Sequence, residues 1–363
     1  MEHLAFIFVH GLSGWGSYDE AYARMPYWGM RGGDLLKYLG EHGFACYAAS
    51  VSPTGSAWDR ACELYAQLAG TRVDYGSVHS ERYRHARFGK DYSACPLLKE
   101  WNEKTRLVLL GHSFGGATVR LFSEFMANGA QEERETSPAG DISPLFAGGM
   151  ASRIHSIVTL ASPMNGTTAY DLFEDTSFQP EKVNVPLWSR WMARIMRMGI
   201  KWKKDGRDSK DWAGYDMHVD RALEMNRLMT ELPNVYYFSV PCSWTHKTVE
   251  GVWKPNRGME PLFVMRSNQI GAYTGVTRGG TEIGESWLEN DGLVNTCSAA
   301  FPFYSKHKPF DREHAEPGMW NVFPIYEGDH MSLQGGLQHR RNIRPFYLDL
   351  LKMIRDLPDA LSL

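Results

Sequence analysis

Residues Gly111-His112-Ser113-Phe114-Gly115, which follow the apolar run Leu107-Val108-Leu109-Leu110, decide the fold of this chain. A turn of this kind, from a strand directly into a helix, is too tight for bulky flanking side chains. Glycines therefore stand at both ends, and the hydroxyl of Ser113 is pushed into the open. Residues 116–121 predict the following helix, and the dipole at its N-terminus favours negative charge beside the serine. The stretch indicates a nucleophile elbow rather than an ordinary surface turn.

A serine hydroxyl becomes a strong nucleophile only beside a base, which a carboxylate must orient. In elbows of this kind the acid and then the histidine follow the serine along the chain. Asp291 lies well beyond Ser113 and is followed by a glycine that permits a sharp turn, with Glu289 as a competing acid. Among the 13 histidines, His330 follows a late strand-and-turn pattern where the base is expected. The sequence predicts the triad Ser113, Asp291 and His330.

Two backbone N–H groups are expected to stabilise an oxyanion beside Ser113. One belongs to the residue after the nucleophile, which is Phe114, and the other to a loop after the first strand. That loop, residues 10–16, is rich in glycine, which lets the backbone approach a substrate closely. We expect Leu12 to provide the second N–H.

The chain has 363 residues, of which 43% are hydrophobic, enough to form a large core. Strand-like runs near residues 4–9, 44–49, 107–110, 156–160, 235–240 and 322–326 alternate with helical stretches at 32–39, 58–68 and 118–126. This alternation predicts a mainly parallel central sheet flanked by helices. Together with the elbow it indicates an α/β-hydrolase fold, built as a single domain over residues 1–363. Residues 54–96 and 166–234 are interpreted as insertions.

Charge and hydropathy argue against a nucleic-acid-binding protein and against a membrane-spanning one. A formal net charge of −3 and a pI near 6.5 give no electrostatic basis for nucleic-acid binding. No apolar stretch reaches 18 residues, so no transmembrane segment is predicted. The N-terminus lacks the features of a signal peptide, which fits either a cytoplasmic protein or a mature chain with an added methionine.

Several further runs are similar to those of one known family. They are His10-Gly11-Leu12-Ser13-Gly14-Trp15-Gly16, Trp58-Asp59-Arg60-Ala61-Cys62-Glu63, His85-Ala86-Arg87-Phe88-Gly89, Trp287-Leu288-Glu289-Asn290-Asp291-Gly292 and Asp329-His330. On these runs the chain resembles the zinc-containing lipases of thermophilic Bacillus and Geobacillus, a family that also includes staphylococcal lipases. The resemblance puts the family's catalytic residues on Ser113, Asp291 and His330, and it implies a secreted protein.

The resemblance also implies a structural zinc ion held by two aspartates and two histidines. The matching positions are Asp59, His79, His85 and Asp216, although Asp211 and Asp220 compete for the last place. Imidazole nitrogen and carboxylate oxygen both suit zinc, and four protein ligands leave no open position for chemistry.

The chain departs from the family in the segment after His330. There the family carries a glutamate and an aspartate that bind calcium, whereas this chain reads Met331-Ser332-Leu333-Gln334-Gly335-Gly336-Leu337, without a carboxylate. Because calcium sites normally include carboxylates, we expect no calcium. Leu12 and Phe114 also replace the phenylalanine and glutamine that are usual at their positions.

The second insertion contains an amphipathic segment at residues 187–204. Basic side chains recur there at helical spacing, and a largely separate face carries Trp188, Trp191, Met192, Ile195 and Met196. A helix of this kind can lie on a lipid–water interface, which favours a mobile lid over an apolar pocket. A surface helix packed on the core by its apolar side would have the same pattern.

Together these features predict a carboxylester hydrolase of the triacylglycerol lipase type, which acts at a lipid–water interface through an acyl-enzyme on Ser113. Alternatives on the same scaffold are a short-chain or polyester-hydrolysing esterase, a phospholipase and a thioesterase. A non-catalytic binding protein is disfavoured because all three triad residues are present.

The lid hypothesis is tested by replacing Trp188 and Trp191 with serine. If these side chains anchor the segment at an interface, wild-type turnover should rise when an ester passes its solubility limit, and the double variant should lose that rise. Hydrolysis of dissolved short-chain esters should change little. If turnover rises smoothly through the solubility limit in both proteins, the segment is instead a fixed wall of the pocket. The protein is then better described as an esterase.

Overall fold

In the computed structural model, which describes residues 3–138, 140–172, 210–337 and 341–362, seven parallel strands form one central sheet. The strands, labelled in chain order, are β1 (His3–Val9), β2 (Cys46–Ala49), β3 (Arg72–Asp74), β4 (Phe88–Asp91), β5 (Thr105–His112), β6 (Ile154–Leu160), β7 (Tyr236–Val240), β8 (Cys242–Ser243), β9 (Thr245–Lys247), β10 (Trp253–Pro255), β11 (Gly275–Val276), β12 (Glu282–Ile283), β13 (His307–Pro309), β14 (Trp320–Val322) and β15 (Tyr326–Glu327). The central sheet has the order β13-β14-β7-β6-β5-β1-β2, and the other strands pair two by two.

Helices flank this sheet. In chain order they are α1 (Glu20–Arg24), α2 (Leu35–Glu41), α3 (Ala57–Ala69), α4 (Ser77–Tyr83), α5 (Gly115–Asn128), α6 (Gln131–Thr136), α7 (Pro144–Ala147), α8 (Thr168–Asp171), α9 (Ala213–Asp216), α10 (Val219–Leu228), α11 (Pro261–Ile270), α12 (Thr296–Ala300) and α13 (Arg344–Arg355). Short 3-10 turns lie at Met30–Gly32, Ala151–Arg153, Glu285–Trp287, Ser332–Gln334 and Ala360–Ser362.

Both faces of the central sheet are buried. On β1, Ile7 and Val9 pack into one hydrophobic cluster, whereas Phe6 and Phe8 pack into the cluster on the opposite face. β5 divides its side chains between the same two clusters. Strands covered on both faces are apolar throughout rather than alternating, which explains the continuous apolar runs in the sequence.

The predicted fold class is confirmed: a parallel sheet flanked by helices carries the strand–turn–helix at its centre. The predicted late strand at 322–326 is different in detail, because it divides into β14 in the central sheet and β15, which pairs with β8. β13 escaped prediction, and its three residues are too few for a visible alternation of side chains.

The segment 54–96 contains α3, the antiparallel pair β3–β4, and α4 between those strands. α3 is not peripheral, because Ala61, Leu64 and Leu68 on its inner face belong to the hydrophobic cluster that also holds β1 and β5 residues. The boundaries of this insertion and of the second one stay predictions. Within the described ranges, none of the helices combines the length and apolar character needed to cross a membrane.

Candidate active site and metal centre

The elbow holds Ser113 in a backbone conformation that few side chains adopt. Its φ is +54°, in the left-handed region, and its N–H donates to the carbonyl of Leu160 on β6 at 2.9 Å. A Cβ on Gly111 would lie 2.4 Å from the Gly115 carbonyl oxygen, and one on Gly115 would lie 2.3 Å from the oxygen of Val9. Both positions therefore require glycine, as the sequence motif predicted.

The side chains of the three predicted triad residues meet in one chain of hydrogen bonds. His330 Nε2 lies 2.9 Å from Ser113 Oγ, and its Nδ1 lies 2.8 Å from Asp291 Oδ2. Because a carboxylate can only accept, the Nδ1–H donates to Asp291 and leaves Nε2 as the acceptor for the serine hydroxyl. This arrangement can remove a proton from Ser113.

Asp291 is fully buried, and backbone N–H groups that follow it closely in sequence hold its carboxylate. Its second oxygen, Oδ1, accepts from the N–H groups of Leu293 at 3.0 Å and Val294 at 2.8 Å. Gly292, whose φ is +104°, lies in the turn that brings these two N–H groups back towards the carboxylate. Asp291, rather than the competing Glu289, is thus the carboxylate that faces His330.

A polar network that the sequence did not reveal surrounds His112, the residue before the nucleophile. His112 Nε2 donates to the carbonyl of His330 at 2.9 Å, so its Nδ1 accepts from Tyr27 Oη and Gln334 Nε2, each at 2.8 Å. Burial, together with the nearby His330, lowers the pKa of His112 well below its usual range. A neutral His112 therefore holds the backbone of the base in place. Neither Tyr27 nor Gln334 stands in a motif that points to this role.

The glycine-rich loop after β1 passes directly beside the serine. A Cβ on Gly11 would lie 2.7 Å from Ser113 Cβ, so only glycine allows this approach. The Gly11 N–H donates to Tyr27 Oη at 2.9 Å, and the Ser13 N–H donates to the Pro53 carbonyl at 2.8 Å. In the described part of the chain no acceptor pairs with the N–H of Leu12 between them. The loop thus passes beside the nucleophile, and Leu12 as the second donor stays a prediction.

A second cluster, the Asp59–His79–His85–Asp211 group, could hold a metal ion. One ligand atom from each residue lies within 4.8 Å of all the others. His79 Nε2 is 3.2 Å from Asp59 Oδ1 and 3.3 Å from Asp211 Oδ1, and His85 Nε2 is 3.4 Å from Asp211 Oδ2. Both Nε2 atoms and both Asp211 oxygens are buried without a satisfactory hydrogen bond, as expected for atoms that coordinate a metal.

The surroundings of the group orient its imidazoles. His85 donates its Nδ1–H to the carbonyl of Ala86 at 2.9 Å, which leaves Nε2 as a free base facing the group. Trp58 stacks on the His79 ring at 4.6 Å with the two planes 1° apart. The backbone N–H of His79, at the start of α4, donates to the carboxylate of Glu133 at 2.8 Å.

The predicted fourth ligand, Asp216, is wrong, because the structure places Asp211 in the group. Asp216 instead accepts from the Ala57 N–H at 2.8 Å, at the start of α3, and lies 3.5 Å from the guanidinium of Arg221. Burial raises the pKa of Asp216 to about 6. The two aspartates stand at opposite ends of the short turn around α9, and only one end faces the histidines.

Hydrogen bonds connect the segment after His330 to two carboxylates that lie outside it, Asp329 and Glu260. Ser332 Oγ donates to Asp329 Oδ1 at 2.9 Å, the Glu260 N–H donates to Asp329 Oδ2 at 2.8 Å, and the Leu337 N–H donates to Glu260 Oε1 at 2.6 Å. The absence of calcium remains a prediction. The predicted lid residues, Trp188, Trp191, Met192, Ile195 and Met196, lie outside the described residues.

Comparisons with known proteins identify the family to which the chain belongs. The lipase-like, C-terminal domain family matches residues 2–184 and 192–353. A lipase of Staphylococcus epidermidis is 33% identical over 352 residues, which include 91% of this chain and 49% of that protein. The structure of EstA from Clostridium botulinum matches with a TM-score of 0.84 at 29% identity, over 98% of this chain and 88% of that one.

The crystal structure of Staphylococcus hyicus lipase has a TM-score of 0.81 at 30% identity, over 97% of this chain and 95% of that one. This chain spans about half the length of the curated relatives it matches. The predicted resemblance to staphylococcal lipases is confirmed, and the chain belongs to the lipase-like, C-terminal domain family.

Proposed function

We propose that this chain hydrolyses carboxylic esters of lipids, of the triacylglycerol type, through an acyl-enzyme on Ser113. The observation that carries this proposal is the buried hydrogen-bond chain from Ser113 Oγ through His330 to Asp291. An elbow that holds a serine hydroxyl beside an oriented imidazole suits acyl transfer.

In the proposed reaction, Ser113 Oγ attacks the ester carbonyl carbon while His330 Nε2 takes the hydroxyl proton. The tetrahedral intermediate collapses when the imidazolium gives that proton to the leaving alcohol, which yields the acyl-enzyme. Water then attacks the carbonyl carbon of the acyl-enzyme while His330 Nε2 takes its proton. When this proton passes to Ser113 Oγ, the carboxylic acid leaves and the serine is restored. Asp291 stabilises the imidazolium in both steps without itself taking the proton.

Charge develops on the former carbonyl oxygen in each tetrahedral intermediate. We assign its stabilisation to the N–H groups of Leu12, in the loop beside the serine, and of Phe114, the residue after it. Preorganised donors of this kind contribute most of the barrier lowering in many acyl-transfer enzymes.

We further propose that the Asp59–His79–His85–Asp211 group binds a structural zinc ion. Two imidazole nitrogens and two carboxylate oxygens are a donor set that zinc accepts, and four protein ligands leave no position for substrate. When bound, the ion would tie α3 and α4 to the chain near Asp211. The substrate would meet the enzyme at a lipid–water interface, and family resemblance favours a secreted protein.

Replacing Ser113 with alanine should abolish ester hydrolysis, because it removes the hydroxyl that His330 Nε2 contacts. Initial rates with emulsified tributyrin and with dissolved p-nitrophenyl butyrate measure the loss, and circular dichroism checks the fold. Wild-type activity in a folded Ser113→Ala protein would overturn the proposed mechanism.

Asp291→Asn should lower kcat by a factor on the order of 10⁴, because the amide favours the wrong tautomer of His330. Glu289→Gln is the matched control, since this neighbouring carboxylate does not face His330, and it should stay within about twofold of wild type. A large fall of kcat in Glu289→Gln, with a nearly unchanged kcat in Asp291→Asn, would contradict the assignment of the acid.

The metal proposal predicts a difference between two aspartates five residues apart. With zinc in about hundredfold excess over its dissociation constant, Asp211→Asn should lose bound metal and fall by roughly 3–4 °C in Tm. Asp216→Asn should keep about one metal ion per chain by elemental analysis. A chelator should lower the wild-type Tm before it lowers the turnover of folded enzyme. Immediate loss of turnover at constant structure would make the metal catalytic.

A further inference from the structure

Arg60 is a charged side chain buried completely beside the proposed active site. It follows Asp59 in the first turn of α3, and among the described residues all of its hydrogen-bond acceptors are neutral. Burial lowers the pKa of this guanidinium to about 10, so it stays protonated at neutral pH. A buried cation without a carboxylate among its hydrogen-bond partners is costly, which calls for a reason beyond packing.

Two carbonyl acceptors of Arg60 belong to the loop after β1, and a third belongs to the loop after β2. Its Nη2 donates to the His10 carbonyl, and its Nη1 donates to the carbonyls of Gly11 at 3.4 Å and Ser52 at 3.2 Å. The Gly11 carbonyl also accepts from His10 Nδ1 at 2.9 Å and from the Gly14 N–H at 3.2 Å. Three donors thus fix the direction of this one carbonyl.

That direction decides where the Leu12 N–H points, because the Gly11 carbonyl and the Leu12 N–H belong to the same planar peptide unit. In a trans peptide the C=O and N–H bonds point in opposite directions. With the carbonyl held towards Arg60, the N–H faces away from the guanidinium. If this peptide rotated, the carbonyl oxygen would point towards a developing oxyanion and would repel it.

The same guanidinium also contacts the other donor of the proposed oxyanion hole. Its carbon lies 5.1 Å from the centre of the Phe114 ring. Its Nε donates at 2.9 Å to Thr118 Oγ1, which donates at 3.2 Å to the Phe114 carbonyl. One side chain therefore connects the loop after β1 to the first turn of α5.

From these contacts we infer that Arg60 is a positioning residue of the oxyanion hole, one that sets the orientation of the Gly11–Leu12 peptide relative to Phe114. This inference rests on the proposed ester hydrolysis. Arg60 touches no reacting atom, and its effect reaches the intermediate through the Leu12 N–H. Its loss should weaken binding of the tetrahedral state and leave binding of the ester nearly unchanged.

The test compares Arg60→Met with Arg120→Met. Arg120 is the matched control: it too is a buried arginine, but it donates to Asn226 Oδ1 at 2.8 Å and lies over Trp320, away from the loop after β1. Kinetics use p-nitrophenyl butyrate below its solubility limit. Inhibition by butylboronic acid is measured in parallel, because boron bonds to Ser113 Oγ and forms a tetrahedral anion with an oxygen in the oxyanion hole.

For Arg60→Met we expect kcat to fall about 10²-fold with KM within about threefold, the size of effect known for losing one oxyanion donor. The inhibition constant of butylboronic acid should rise by a similar factor. Arg120→Met should stay within about twofold of wild type in both quantities, even where its Tm falls. A purely structural role for Arg60 would lower Tm in both variants without a selective effect on the boronate.

Arg60→Lys covers the case in which Arg60→Met does not fold. It keeps the charge, but one ammonium group cannot hold the loop carbonyls and Thr118 at once, so kcat and boronate affinity should each fall about 10-fold. Wild-type values in folded Arg60→Lys, or in folded Arg60→Met, would overturn the inference and leave the proposed function intact. Failure of the wild-type chain to hydrolyse any ester would instead overturn the proposed function.

Discussion

The close approach of three backbone segments around Ser113 is the constraint on which the rest of the site depends. The end of β1, the elbow and the first turn of α5 meet at distances where a single Cβ would collide with main-chain atoms. Glycine at positions 11, 111 and 115 permits this contact, and the left-handed φ of Ser113 completes it. Because the strands are parallel, their carboxyl ends deliver the loops to one edge of the sheet, where the acid and the base also arrive.

The sequence was sufficient to predict the elbow and the three residues that meet there. The elbow is a local pattern, since strand, turn and helix are contiguous. The chain order of acid and base favoured Asp291 and His330, with Glu289 left as a competing acid. The metal group was only partly predictable. His79 and His85 lie close together in sequence, but the choice between Asp211 and Asp216 depends on which end of a one-turn helix faces them. No pattern along the chain records that orientation.

What escaped prediction is the polar network behind the reacting atoms. His112 is bonded to Tyr27 and to Gln334, which are 85 and 222 residues away along the chain. No regular spacing along the chain relates these partners, and each of them alone has the pattern of an ordinary buried side chain. Their function follows from satisfying donors and acceptors in the buried interior, where an unpaired polar group is costly. This requirement is visible only after folding has brought the groups together.

The metal group and the oxyanion loop are joined by a single turn of helix. Asp59 and Arg60 are adjacent in the first turn of α3, so their side chains leave the helix about 100° apart. One side chain faces the two histidines, whereas the other faces the carbonyls of His10 and Gly11. The N-terminus of α3 is further fixed by Ser56 and Asp216. A group that binds no substrate can therefore influence the rate, because any shift of this turn also moves Arg60 and the peptide it holds.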